Sequence, residues 1–131
     1  MKKYHFNKLI RSNLPERMKQ EGVKIFGRSL DEQEFAQKLK EKLVEEAIEV
    51  QETNSAETLI KELADVMEVM ESIISLYKID IEDIKKEQKI KRSTNGNFLS
   101  ANFVEYIEVA EDNFKVIEYL ENRDRPYKFS N

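Results

Sequence analysis

The chain has no cysteine, which removes disulfides, thiolate metal sites and a cysteine nucleophile together. It has only three Gly and two Pro in 131 residues, a poor supply of turn formers for a β-sandwich. No apolar run approaches the ~20 residues of a transmembrane helix, and no signal peptide opens the chain, so a soluble cytoplasmic protein without membrane contact is expected. His5 is the one histidine. A Ser–His catalytic pair is therefore a poor option, and His5, on a basic arm, is expected at the surface or beside a substrate.

What the chain does have suits amphipathic helices: 40% hydrophobic and 37% charged residues, in a length that fits one domain over residues 1–131. The net charge of −4 hides an asymmetry, because residues 1–30 hold eight Lys or Arg against two acidic residues. So acidic a chain is not expected to bind nucleic acid stably, although its basic start can meet phosphate locally.

The stretch from Glu41 to Ser75 organises the rest. It holds two amphipathic helical patterns joined by a polar break at Asn54 and Ser55, each with two carboxylates three residues apart: Glu46 and Glu49, then Glu62 and Asp65. Three residues turn a helix by about 300°, so each pair leaves one face, a turn apart. In the second pattern Val66, Val69, Ile73, Leu76 and Tyr77 form an apolar stripe with Glu62 at its middle and Asp65 on its edge. In the first, Phe35, Leu39, Leu43, Ala47 and Val50 form the stripe, with Glu46 inside it and Glu49 at its border. Burying an ionised carboxylate alone costs several kcal/mol, so protonation, basic partners or a hard divalent cation must compensate. No Lys or Arg shares the second stripe, which makes Mg²⁺ or Mn²⁺ the more natural solution.

Taken in order, the chain predicts a helix over 11–20 with Ser12 or Asn13 as cap and Pro15 in its first turn, then a connection through Gly22 and Gly27, with a brief extended piece at 23–26. Ser29 and Glu32 read as a capping box opening a helix from Leu30 to Thr53. The next helix runs from Ala56 to Tyr77, antiparallel to it across a short loop. A fourth starts at Asp80 and ends near Lys91, before a turn at 93–97 around Gly96. Partial alternation over 103–109 suits a short extended segment within 98–110. Helical spacing returns over 111–122, and the tail from Asn122 is polar and expected to be loose. Met67 and Met70 are expected in the core. Leu63, Met67, Met70 and Ile74 also widen the second stripe beyond one seam, as a second chain's helices would require.

These positions resemble the all-α nucleoside triphosphate pyrophosphohydrolases, the superfamily of MazG and phosphoribosyl-ATP pyrophosphohydrolase. The resemblance rests on E-E-x-x-E (Glu45, Glu46, Glu49) followed, after twelve residues, by E-x-x-D (Glu62, Asp65). The opening from Lys8 to Glu16, KLIRSNLPE, is similar to the K-L-V-R-D-K-I-P-E start of small stand-alone members. Lys91 and Arg92 followed by Gly96 and Phe98 are similar to a basic, glycine and phenylalanine turn those proteins carry. Ser12 stands where the family usually has Asp, and a usual double glycine is reduced to Gly96.

The resemblance implies an antiparallel all-α bundle that cleaves a nucleoside triphosphate between its α and β phosphates, giving monophosphate and pyrophosphate, as in nucleotide house-cleaning. It implies Mg²⁺, with Mn²⁺ as substitute, held by Glu46, Glu49, Glu62 and Asp65, while Glu45 orients the attacking water or faces solvent. Phosphate contacts would fall to Lys8, Arg11, Lys89, Lys91 and Arg92, and the protein would be a homodimer or homotetramer. Two rival expectations are the phosphoribosyl-ATP step of histidine synthesis and a non-catalytic helical protein using the acidic seam for assembly or nucleotide sensing.

Overall fold

The computed structural model describes residues 1–122, and among these it has five helices and no strand. The reading of the tail as loose falls on residues 123–131, outside the described residues. The chain divides into two compact units, Met1–Ile90 and Lys91–Asn131.

In the first unit, α1 spans Leu14–Gln20, with Asn13 at its N-cap position and Pro15 in the first turn. Gly22, at φ +82°, ends it. There the Gly22 N–H donates to Lys19 O (3.0 Å) and the Val23 N–H to Met18 O (2.9 Å), closing the helix in a left-handed cap that glycine adopts without strain. No strand forms over 23–26.

Helix α2 spans Glu32–Gln51, starting two residues later than the Ser29 capping box predicts. Asp31 is the cap instead: its Oδ1 accepts from the Glu34 N–H at 2.8 Å. A carboxylate makes a stronger charge-assisted cap than a serine hydroxyl. Arg28 also holds both oxygens of Glu34, at 2.9 and 2.5 Å, fixing the incoming chain against the first turn.

Helix α3 spans Ala56–Leu76 and opens on Ser55, whose hydroxyl accepts from the Thr58 N–H at 3.2 Å. It ends with Lys78 at φ +53°. The Ile79 N–H reaches Ile74 O (3.0 Å) and the Lys78 N–H reaches Ser75 O (3.1 Å), again the two bonds of a left-handed cap.

Helices α2 and α3 are the one pair that packs extensively among the described residues. Their seam buries Leu39 and Val69, flanked by half-buried Leu43, Val50, Leu59, Val66 and Ile73. Ala47, expected in the seam, is exposed. It lies about 80° round the helix from Leu39, beyond what a single neighbouring helix covers. Tyr77, expected in the second stripe, is also exposed because the helix has ended at Leu76, and its ring instead takes the Lys40 ammonium 5.1 Å from its centroid. Met67 and Met70 are exposed rather than core residues. Together with Ile60 and Leu63 they lie about 110° round α3 from the seam, while Val44 and Ile48 lie on the outer face of α2, about 140–180° from Leu39. These six side chains are 43% to 68% exposed.

Helix α4 spans Ile81–Asn95, with Asp80 Oδ1 accepting from the Glu82 N–H at its start. It runs four residues past the expected end near Lys91, absorbing part of the predicted turn. Nothing in Ser93, Thr94 or Asn95 forbids helix, and Gly96, at φ +80°, is the first residue to take the left-handed conformation freely.

In the second unit, residues 98–110 form no strand. An alternating segment needs a ladder partner, and among the described residues none is present. Helix α5 spans Phe114–Glu121, shorter than the predicted 111–122, and Asn113 caps it through the Val116 N–H. No helix among the described residues is long and apolar enough to cross a membrane.

Candidate metal centre

Helix α2 positions Glu46 and Glu49, and helix α3 positions Glu62 and Asp65. Carboxylate oxygens from all four lie within 4.8 Å of one another, a group that could hold a metal ion. Packing two helices through stripes that each contain an i, i+3 carboxylate pair brings the pairs face to face, so the clustering follows from the sequence pattern. The acids fall on the side of the hairpin opposite Ile60, Leu63, Met67 and Met70.

Burial distinguishes this group from a chance surface cluster. Glu46 is only 6% exposed. Its Oε2 atom and that of Glu62 are shut off from solvent and have no hydrogen-bond partner. A buried acceptor left unpaired costs about 1–3 kcal/mol, more when charged, so these two oxygens are the ones a bound cation could satisfy. Carboxylate oxygens alone, with neither His nor Cys among them, are the donor set of a hard cation.

Burial pushes the Glu46 carboxyl above the ordinary glutamate range. Its hydrogen bond with Glu49 and the Glu49 charge push it further, Lys42 partly opposes them, and Asp65 adds a smaller push upward. The metal-free cluster thus holds the Glu46 proton to higher pH than a free glutamate would.

Basic side chains reach the cluster from elements that the stripe of α3 did not reveal. Lys42 lies 3.5 Å from Glu46 Oε1 and 3.2 Å from Glu45 Oε1. Lys8 lies 3.6 Å from the same Glu45 oxygen. Arg11, just before α1, donates from Nη2 to Asp65 Oδ1 at 2.5 Å across 54 residues of sequence. Of the five cations named for phosphate contact, Lys8 and Arg11 therefore stand beside the acids. Lys89, Lys91 and Arg92 are exposed on α4 and form no ion pair among the described residues; Lys91 and Arg92 belong to the second unit. Glu45 is half-buried and held through Oε1 by two lysines rather than facing open solvent.

Lys42 is the site residue that the sequence reading missed. Its signal was present: a lysine four residues before Glu46 and three before Glu45 on one helix meets both. Comparison with known proteins finds no matching family, no matching curated protein and no matching solved structure, so the chemistry of these side chains carries the functional reading.

Proposed function

We propose that the protein is a nucleoside triphosphate pyrophosphohydrolase of the all-α type, dependent on Mg²⁺ or Mn²⁺ and cleaving between the α and β phosphates. One observation carries the reading: a carboxylate buried to 6% exposure, with an unpartnered oxygen, inside a cluster of four acids. Glu46, Glu49, Glu62 and Asp65 fit a hard divalent cation in donor type and burial. Such a cation, when bound, neutralises phosphate charge and lowers the pKa of a coordinated water. The chain's own residues supply the rest. Lys8 and Lys42 hold Glu45 Oε1, leaving Oε2 as the atom to accept a proton from an attacking water beside the cluster. Lys8 and Arg11 bring positive charge to the same edge, where an incoming polyphosphate meets the protein.

The test is pyrophosphate release from a panel of nucleoside and deoxynucleoside triphosphates, with phosphoribosyl-ATP included, in Mg²⁺ or Mn²⁺. Turnover is expected with at least one triphosphate. Turnover confined to phosphoribosyl-ATP would move the protein to histidine synthesis. None with any substrate, from folded protein, would leave the assembly or sensing reading.

A second copy of the chain is the proposed occupant of the apolar side of the hairpin. The six exposed apolar side chains of α2 and α3 present on the order of 600 Å² per chain, at the upper end of what a monomer leaves exposed in one patch, and twice that across a two-fold axis reaches the lower end of the range of stable interfaces. Light scattering should therefore report a dimer or tetramer. Met67→Glu, which places a charge at the centre of that face, should shift the mass towards the monomer; an unchanged mass would exclude this face as the interface.

A further inference from the structure

The carboxylate cluster has two unlike ends. At the inner end the Oε2 atoms of Glu46 and Glu62 have no partner, and Glu46 is almost wholly buried. At the outer end Arg11 Nη2 sits 2.5 Å from Asp65 Oδ1, with the Arg11 side chain 58% and the Asp65 side chain 36% exposed. We infer that Arg11 is a built-in second cation, so that the cluster takes one divalent ion where four carboxylates would otherwise accommodate two. This rests on reading the cluster as a cation site and fixes its stoichiometry.

Charge and geometry agree on it. Four ionised carboxylates carry four negative charges. Lys42, 3.5 Å from Glu46, and Arg11, on Asp65, return two positive ones. The remainder equals the charge of one divalent ion; a second would leave an excess of two positive charges, which loss of Arg11 halves while freeing Asp65 Oδ1 as a ligand. Paired metal ions commonly lie about 3.5–4 Å apart, a spacing that carboxylate oxygens between them can serve. A guanidinium bonded to Asp65 Oδ1 takes an oxygen that such an arrangement needs. Its charge is also permanent, because arginine does not release its proton in proteins. Lys8, 3.6 Å from Glu45, ties the same N-terminal arm to α2 and so keeps Arg11 at this edge.

Counting bound Mn²⁺ by calorimetric titration, with free Mn²⁺ followed by electron paramagnetic resonance, tests the inference without reference to turnover. The wild-type chain should bind one Mn²⁺ and Arg11→Gln two, while Arg11→Lys, which keeps the charge, should remain at one. Arg11 is more than half exposed, so the variants should fold, with helical circular dichroism as the check and Arg11→Met as the second charge-removing variant. Two ions in the wild type, or one in both Arg11→Gln and Arg11→Met, would overturn the role given to Arg11 while leaving the cation site standing. No bound Mn²⁺ in any of these proteins would overturn the site itself, and the inference with it.

Discussion

Glu62→Gln should abolish divalent-cation-dependent pyrophosphate release while leaving the metal-free protein as stable as the wild type, or more so. The variant keeps the shape of the side chain and removes its charge. In the wild type Glu62 has an Oε2 atom shut off from solvent without a partner, and it shares a 4.8 Å cluster with three other carboxylates. At an effective dielectric constant of ~20, two unit charges at such a separation repel by roughly 3 kcal/mol, so removing one relieves the metal-free fold. On the proposed reading, the same change also takes an oxygen from the cation's ligand set. Mutating even the outer partners of metal ligands commonly costs 10–100-fold in affinity or activity, so loss of a ligand should exceed ~100-fold. Initial rates and Mn²⁺ titration measure the loss, and thermal melts in chelator measure the stability. Glu71→Gln, an exposed acid on the same helix, is the control and should change neither. A melting temperature well below that of the wild type would make Glu62 a structural residue and remove it from the site.

Prediction of this kind is possible because the cluster was legible in the residues. A carboxylate at the centre of an apolar stripe is a local signal, readable from helical period alone, and α2 and α3 bring the two stripes together as that period implies. Their boundaries were less legible. Ser29 and Asp31 are both competent caps; the helix takes Asp31, whose carboxylate makes the stronger cap, and Arg28 grips Glu34 in a pairing outside the helix pattern. Ala47 has the spacing of a seam residue, but a hairpin gives it no second neighbour to pack against. Residues 103–109 alternate as a strand does, and alternation supplies no partner. Arg11 was visible as a cation in a recognisable opening, but its contact with Asp65 spans 54 positions, and no periodic rule joins residues that far apart. The acids were therefore readable before the cations that accompany them.

The contribution of Glu46 to the stability of the metal-free protein should shrink as pH rises above the ordinary glutamate range, and Mg²⁺ should restore stability most where that loss is greatest. Burial and Glu49 raise the Glu46 carboxyl above its unfolded value. Below the ordinary glutamate pKa the group is protonated whether the chain is folded or not, and its favourable contribution is fully present. As pH climbs through the raised folded value, the folded state must ionise a buried carboxylate, and the contribution disappears. Glu34 works in the opposite sense and in a more acidic window: the Arg28 hydrogen bond lowers its pKa, so that stabilisation fades only as pH falls through the depressed value. A divalent cation binds the ionised form of the cluster and competes with the proton on Glu46, so its effect must grow across the window in which Glu46 titrates. At about 100 times its dissociation constant, a ligand specific for the folded state adds ~2.7 kcal/mol. For a chain of this length that corresponds to a rise of about 10 °C in melting temperature. Melts at constant ionic strength, with and without one fixed Mg²⁺ concentration set at about 100 times the dissociation constant of the higher pH, measure both effects. A small shift near pH 5 that widens by pH 7.5 fits cation and proton sharing one site. The same shift at both pH values would separate the cation from Glu46, and no shift at either would remove the metal centre from this protein.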